Sequence, residues 1–438
     1  MGEINVFNKS IRGSSHLASD KPCQDYSISY NEKGVQILVV CDGHGGESYF
    51  RSDIGARLAA EKTVETLIDF SNQIGSNPFA NCSFSITSKP NNNPFKDSEG
   101  NTLRYEDMNE NKKSYARQAK SYTEASSKYI DKQNILNELL KNIYIKWKIE
   151  ISHHKDENPF SAIEQIKLNG KNIEKAYGCT LLAYMQTESY WLSFQIGDGK
   201  VLFCNKDLSW SSPIQEDCNC FLNYTTSLCD SNPLDEFRYA FSGEGIFPFS
   251  IFLCSDGIEG SLRTEVNIKD FYEQIIEVCV DGEDVNSELE DYLPKLSEIG
   301  NKDDLSISGV VYLNRINSEE FSKRLGLQRK KRTIQNEQNS KKAELDKLSS
   351  SIETHKDKLV KYHENRTSLK NALNENKRLR QNMESEFTDN ERNIHSIQGK
   401  INALHEELKV KEKDYDDWSF TVKNDLASIE EEMDKLIL

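Results

Sequence analysis

VVCDGHGG, residues 39–46, closes an apolar run that begins at Val35 (VQILVVC, 35–41). The run has the length and β-branched content of one strand. Asp42-Gly43 ends it. Glycine lets the backbone turn sharply and present its carbonyl beyond the strand end, and Gly45 and Gly46 open the turn before the next helix. Similar runs recur at 180–184, 191–196, 201–204, 251–254 and 307–313. Asp198-Gly199 and Asp256-Gly257 punctuate them in the same way. Amphipathic helical patterns lie between the runs, at 49–70, 114–151 and 268–280. Short strands with helices between them predict an α+β layered domain. Residues 72–112, rich in Asn, Ser, Pro and Gly, read as a long loop or insertion, and 153–175 as a second polar stretch.

Beyond about Ser318 the composition shifts to Lys, Glu, Asn, Leu and Ser, and the last proline is Pro294. One frame of alternating three- and four-residue steps runs from Leu345 to Val422 through Ile352, Leu369, Ile394 and Ile401. After a one-residue slip it continues through Leu426, Ile429, Met433 and Leu436. A sustained heptad of this kind predicts a left-handed coiled coil over 318–438. His355, Arg366, Asn376, Arg380, Asn390 and Lys411 fall on its seam, where polar residues set register and partner. The frame alone leaves three arrangements open: pairing with itself or an associated protein, a single helix on its own domain, and a hairpin folded at the polar middle.

The formal net charge of -16 argues against a nucleic-acid grip, which needs clustered Lys and Arg. No stretch approaches a membrane span and the N-terminus has no signal-like apolar core, so a soluble, cytoplasmic protein is expected. Cys218, Cys220 and Cys229 lie close together without a paired CxxC spacing, and reduced thiols are expected there over zinc. His153 and His154 are adjacent in a polar stretch and read as solvated.

Asp42, Asp198, Asp256 and Asp303 each adjoin an apolar β run, and Asp25 sits in an N-terminal segment. A single Asp-Gly is usually a turn. Several brought to one sheet edge can share two hard cations, activate water and clamp a phosphoryl group.

Gln24-Asp25, VVCDGHGG, GCT (178–180), IGDGKV (196–201), LCSDGIEG (253–260) and GNKDDLSI (300–307) follow one another in the chain. In that order, over roughly residues 10–315, they resemble the type 2C metal-dependent protein phosphatases. The branch is the bacterial one whose first motif reads SH…CQD, as in Ser15-His16 and Cys23-Gln24-Asp25. The resemblance implies a four-layer α-β-β-α sandwich of two antiparallel sheets flanked by helices over 1–317, then the coiled-coil helix. It implies hydrolysis of phosphoserine and phosphothreonine on a phosphorylated protein substrate, with two Mn²⁺ or Mg²⁺ ions. By motif, Asp42 bridges the ions, the Gly43 carbonyl binds one, and Asp256 and Asp303 complete the other shell. Asp25 orients water, His44 protonates the leaving oxygen, and Asp198 and Glu259 match a weaker third-ion position. The chain departs from the family's pattern at Gln24, where an acidic residue is usual, at Glu259 and at Asp304. The usual phosphate-gripping arginine is absent, which leaves His16 and Lys21 as candidates. Gln24 and the missing arginine favour the competing expectation of a pseudophosphatase or adaptor, with the coiled coil mediating assembly; the intact Asp42, Asp256 and Asp303 oppose it.

Overall fold

The computed structural model describes residues 4–74, 77–86, 129–215, 220, 225–375 and 380–436. The chain divides into two compact units, Met1–Glu319 and Glu320–Ile437.

The first unit carries eleven described strands in two antiparallel sheets. One sheet orders β1 (Ile4–Ile11), β11 (Leu305–Tyr312), β10 (Ser250–Cys254), β7 (Lys200–Cys204) and β8 (Trp210–Ser211). The other orders β2 (Tyr26–Glu32), β3 (Val35–Cys41), β5 (Leu181–Gln186), β6 (Trp191–Ile196), β9 (Arg238–Ser242) and β4 (Ser83–Ile86).

Side chains alternate across a strand, and β3 is apolar on both faces for that reason. Leu38 and Val40 pack between the sheets with Leu182, Ile251, Leu253 and Val310. Ile37, Val39 and Cys41 point the other way, into a cluster with Ala59, Leu67, Ile143 and Trp147. Those partners belong to α2 (Ser52–Gln73) and α3 (Ile130–Glu157). On the opposite outer face, Phe252 of β10 packs on Tyr272 of α7 (Glu265–Asp281), with ring centroids 4.8 Å apart. The layers are therefore helix, sheet, sheet, helix, as expected from the motifs. Further helices are α1 (Ser14–Ser19), α4 (Ala162–Leu168), α5 (Pro233–Glu236), α6 (Asp256–Leu262) and α8 (Val285–Ile299).

One local expectation is corrected. Residues 72–112 are not one loop, because α2 runs on to Gln73 and β4 pairs with β9 at the sheet edge. Burial of Phe79 against Phe241, centroids 4.3 Å apart, draws that segment onto the sheet. Residues 87–128, the rest of the loop and the start of the 114–151 helix, lie outside the described residues. The polar stretch 153–175 is largely ordered structure, with the end of α3, then α4, then a 3-10 turn, Ile173–Tyr177. Its His154 is structural, Nδ1 lying 2.9 Å from the Tyr177 hydroxyl. The nine described cysteines are free thiols. No helix of the described residues is long and apolar enough to cross a membrane.

The second unit contains two long helices, α9 (Ser318–Glu375) and α10 (Arg380–Asp434). Lys331 pairs with Glu430 at 2.6 Å, Lys411 with Glu344, and Arg366 with Glu391. Partner numbers approach one another along the two helices, as in an antiparallel hairpin. Of the three arrangements the heptad left open, the chain adopts the third. Every described apolar seam residue named above is buried or half-buried, with Ile352, Leu369, Ile394, Ile401, Val422 and Ile429 fully so. Basic residues early in α9 (Arg329, Lys330, Lys331, Arg332) meet the acidic end of α10 (Glu430, Glu431, Glu432), which favours this antiparallel pairing.

Asn390 is buried on the seam; its Nδ2 donates to the Tyr362 carbonyl at 2.8 Å. Its Oδ1 is buried without a partner among the described residues. Asn390→Leu is expected to stabilise the hairpin by roughly 1–3 kcal/mol through relief of an unsatisfied polar atom, seen as a raised thermal midpoint. It should also loosen register, visible as new inter-helix cross-links. A lowered midpoint would show that the bond to Tyr362 is worth more than the orphaned oxygen costs.

Candidate functional site

The ends of β3 and β10, the segment before β2 and the turn before β11 meet at one edge of the sandwich. Asp42 is pinned there through its backbone. Its N–H donates to Thr180 Oγ1 at 3.0 Å, and the Thr180 N–H donates to the Asp42 carbonyl at 2.8 Å. Gly43 follows in an isolated bridge to Cys179. A Cβ at Gly43 would run into the Gln24 carbonyl oxygen and come within 2.9 Å of that of Ser52, so only glycine passes.

The carboxylates crowd one another. Burial, then the charges of Asp25 and Asp256, push the Asp42 carboxyl well above its ordinary range. Burial also raises Asp25, against a bond from Ser255, and the charges of Asp304, Asp256 and Asp303 push it further. Asp256 is open to solvent on its outer side, yet desolvation and then Asp198 raise it too. Asp25 Oδ2 is buried without a hydrogen-bond partner among the described residues.

Like charges gathered in a low-dielectric pocket, with an orphaned acceptor among them, are compensated by protons or by cations. Hard divalent cations take oxygen donors of this kind, and the smaller ones keep several waters in their shell. Among the described residues no three such side chains already close on one point. A site completed by a backbone carbonyl and water does not require that. The donor set therefore fits divalent ions.

Other candidates are placed differently. His16 Nδ1 lies 2.9 Å from Asp304 Oδ1, with the Asp304 side chain only 3% exposed. Asp304 also accepts from the Gly13 and Gln24 N–H groups, each at 2.6 Å. His16 and Asp304 thus tie the N-terminal segment to the start of β11, and Lys21 is exposed. Glu259 Oε2 lies 2.7 Å from Lys200 Nζ, so an ammonium already stands at that carboxylate. Burial, followed by the charge of Lys175, lowers His44 to about 4.

Three residues, Ser52, Ser255 and Tyr49, escaped the sequence reading, and Gln24 takes a role that reading did not assign. Gln24 Nε2 donates to the His44 carbonyl at 3.0 Å and to Ser52 Oγ at 2.5 Å, strapping the 42–46 turn to α2. Ser255 Oγ accepts from the Ser306 N–H at 3.1 Å and bonds Asp25, which ties β10 to β11 beneath the cluster. Tyr49 stacks edge-on against His44, centroids 4.8 Å apart. Gln24 was legible as a departure from the family; for Ser52, Ser255 and Tyr49 no sequence signal pointed to a role.

The first unit is an α-β-β-α sandwich with buried carboxylates crowded at one sheet edge. The family model described as Protein phosphatase 2C matches residues 12–294, more than half of the chain, and the chain belongs to that family. A sequence comparison with characterised proteins gives no significant match. Solved structures give distant likenesses. PppA, a regulatory component of T6SS in Pseudomonas aeruginosa, is 13% identical, with 70% of this chain and 97% of that one covered and a TM-score of 0.37. The S. agalactiae serine/threonine phosphatase is also 13% identical, covering 70% and 99%, at 0.37. The catalytic domain of the serine threonine protein phosphatase PstP, in complex with two manganese ions, is 12% identical, covering 70% and 97%, at 0.37.

Proposed function

We propose that the chain hydrolyses phosphoserine and phosphothreonine esters on proteins, with divalent ions at the 42/256/303 edge. Membership of the family supports this reading. The observation that carries it is the crowding of Asp42, Asp256 and Asp25 at one sheet edge, with their carboxyls pushed up by burial and by one another.

Asp42, the Gly43 carbonyl, Asp256 and Asp303 would hold two Mn²⁺ or Mg²⁺ ions, which supply an acidified water and positive charge for the phosphoryl group. Thr180 fixes the direction of Asp42, and the Gln24 strap fixes the turn that carries Gly43 and His44. Asp25, beside Ser255, keeps a buried second oxygen without a partner among the described residues, and that oxygen would orient water. His44 is neutral at pH 7, so acting as the acid for the leaving oxygen requires it first to take up a proton. Of the two candidate phosphate grips, His16 faces Asp304, and Lys21 is the exposed cation of that segment. Asp198 and Glu259 would hold a third ion only in competition with Lys200.

The tail, 318–438, is a separable module in this reading. Its seam is used within the chain, so assembly with a second copy or an associated protein proceeds through the outer faces of the hairpin. The binding-only alternative rests on Gln24 and on the missing arginine, and the Gln24 amide does structural work of its own.

The test is hydrolysis of p-nitrophenyl phosphate and a phosphothreonine peptide with Mn²⁺ and with chelator. Turnover that appears with Mn²⁺ and vanishes with chelator is expected. A folded, Mn²⁺-binding chain that turns over neither substrate would sink the catalytic reading in favour of the binding-only one.

A further inference from the structure

A cavity of about 560 Å³ opens beside the carboxylate edge, lined by Lys148, Lys171, Glu174, Lys175, Cys229 and Asp230 among others. The fold ties it to the turn that bears His44. Lys175 sits in the 3-10 turn that leads into Gly178-Cys179-Thr180. Those residues bond the turn directly. The His44 N–H donates to the Gly178 carbonyl at 3.1 Å, and Thr180 pins Asp42. Lys175 Nζ stands 4.5 Å from the centre of the Tyr49 ring, whose other contact is His44. One ring therefore separates the ammonium from the proposed catalytic histidine.

The charges in the cavity do not cancel evenly. Lys148 is paired with Glu174 at 2.6 Å. Asp230 is turned to the Ser227 N–H at 2.9 Å. Among the described residues no carboxylate lies within ion-pair distance of Lys175 or Lys171; Lys171 Nζ reaches only Ser48 Oγ, at 3.5 Å. Two ammonium groups are thus presented to the cavity of a chain whose formal charge is -16. Elsewhere that charge repels an acidic peptide. At this cavity it meets two cations, whose attraction is felt over about one Debye length, ~8 Å at physiological salt.

We infer that this cavity is a recognition subsite for acidic side chains flanking the phosphorylated residue of a protein substrate, with Lys175 and Lys171 as its cations. The inference rests on the proposed phosphatase reading and adds to it a preference among substrates. Lys175 approaches through Tyr49 and not through the carboxylate ring, which suits a neighbour of the phosphoresidue better than the phosphate itself.

Two fluorescent phosphothreonine peptides decide it, one with Asp and Glu flanking the phosphothreonine and one with Asn and Gln in their place. Their dissociation constants are measured on the full chain by anisotropy in chelator, where hydrolysis is off, and kcat/KM is measured with Mn²⁺. The wild type is expected to bind the acidic peptide about tenfold more tightly at low salt, as for one or two partly exposed charge pairs. Most of that preference should disappear in Lys175→Gln and part of it in Lys171→Gln, and it should decline with added salt. Equal affinity for the two peptides in the wild type would overturn the inference. So would an equal loss for both peptides in Lys175→Gln, which would make the lysine a grip on the phosphate. The binding ratio reads the subsite whether or not turnover occurs, whereas Mn²⁺-dependent cleavage of p-nitrophenyl phosphate reads the catalytic proposal alone.

Discussion

Asp42→Asn is expected to reduce Mn²⁺-dependent hydrolysis by roughly a thousandfold or more, since each tenfold corresponds to ~1.4 kcal/mol of transition-state stabilisation and a shared metal ligand supplies several. Asparagine keeps the shape of the side chain. The backbone bonds to Thr180 that place residue 42 do not involve the carboxylate. The fold should therefore survive, and the metal-free protein should be no less stable at pH 7 than the wild type.

The sign follows from the crowding. A carboxyl whose pKa is raised on folding adds stability below its unfolded value and loses it as pH rises through its folded value. Burial and the charges of Asp25 and Asp256 raise the Asp42 carboxyl, so its ionisation is a burden on the metal-free fold. Asparagine removes that burden. Thermal melting from pH 5 to pH 8 in chelator should show a smaller decline for the variant. Full residual activity would end the assignment of Asp42, and a molten variant would show that its carboxylate holds the fold.

The second large effect is structural. Trp147 is completely buried where α3 crosses α2, and its Nε1 donates to the Gly55 carbonyl at 3.1 Å. Trp147→Ala leaves a cavity and an unpaired carbonyl, and about 3–5 kcal/mol of stability should be lost. That is a large share of the ~5–15 kcal/mol of a whole domain. Denaturant unfolding followed by circular dichroism measures it. A loss below about 1 kcal/mol would mean that α3 is peripheral to the core, against its burial here. Gly55 is also required by the 3-10 turn 173–177, because a Cβ there would collide with the Tyr177 carbonyl.

Much of the fold was legible from local pattern. The run 35–41 announced β3, and its unbroken apolarity reflected a strand covered on both faces. Asp-Gly pairs marked strand ends because that dipeptide turns easily, and the same property put carboxylates at the sheet edge. The heptad phase was legible to the residue, since every described apolar seam member is at least half-buried. β4 was not, because four residues in an Asn- and Pro-rich segment become a strand only when β9 supplies the hydrogen bonds.

At the site, residue identity gave the chemistry and contacts gave the roles. His16 read as a cation free to meet phosphate until Asp304, far along the chain, came within 2.9 Å of it. Glu259 read as a metal donor until Lys200 was found against it. Gln24 read as a weakened ligand, and its amide proves to strap the turn.

The sequence by itself determined six of the eleven described strands with their turns, the family, the carboxylate inventory and the seam, because each is written in neighbouring residues or in a short fixed period. Only the tertiary structure decided which carboxylates crowd together, which cations are already paired, that the seam closes on itself as a hairpin, and that Lys175 stands one ring from His44. Those depend on pairs of residues tens to hundreds of positions apart, and such pairs meet only when burial of the apolar faces brings their elements together.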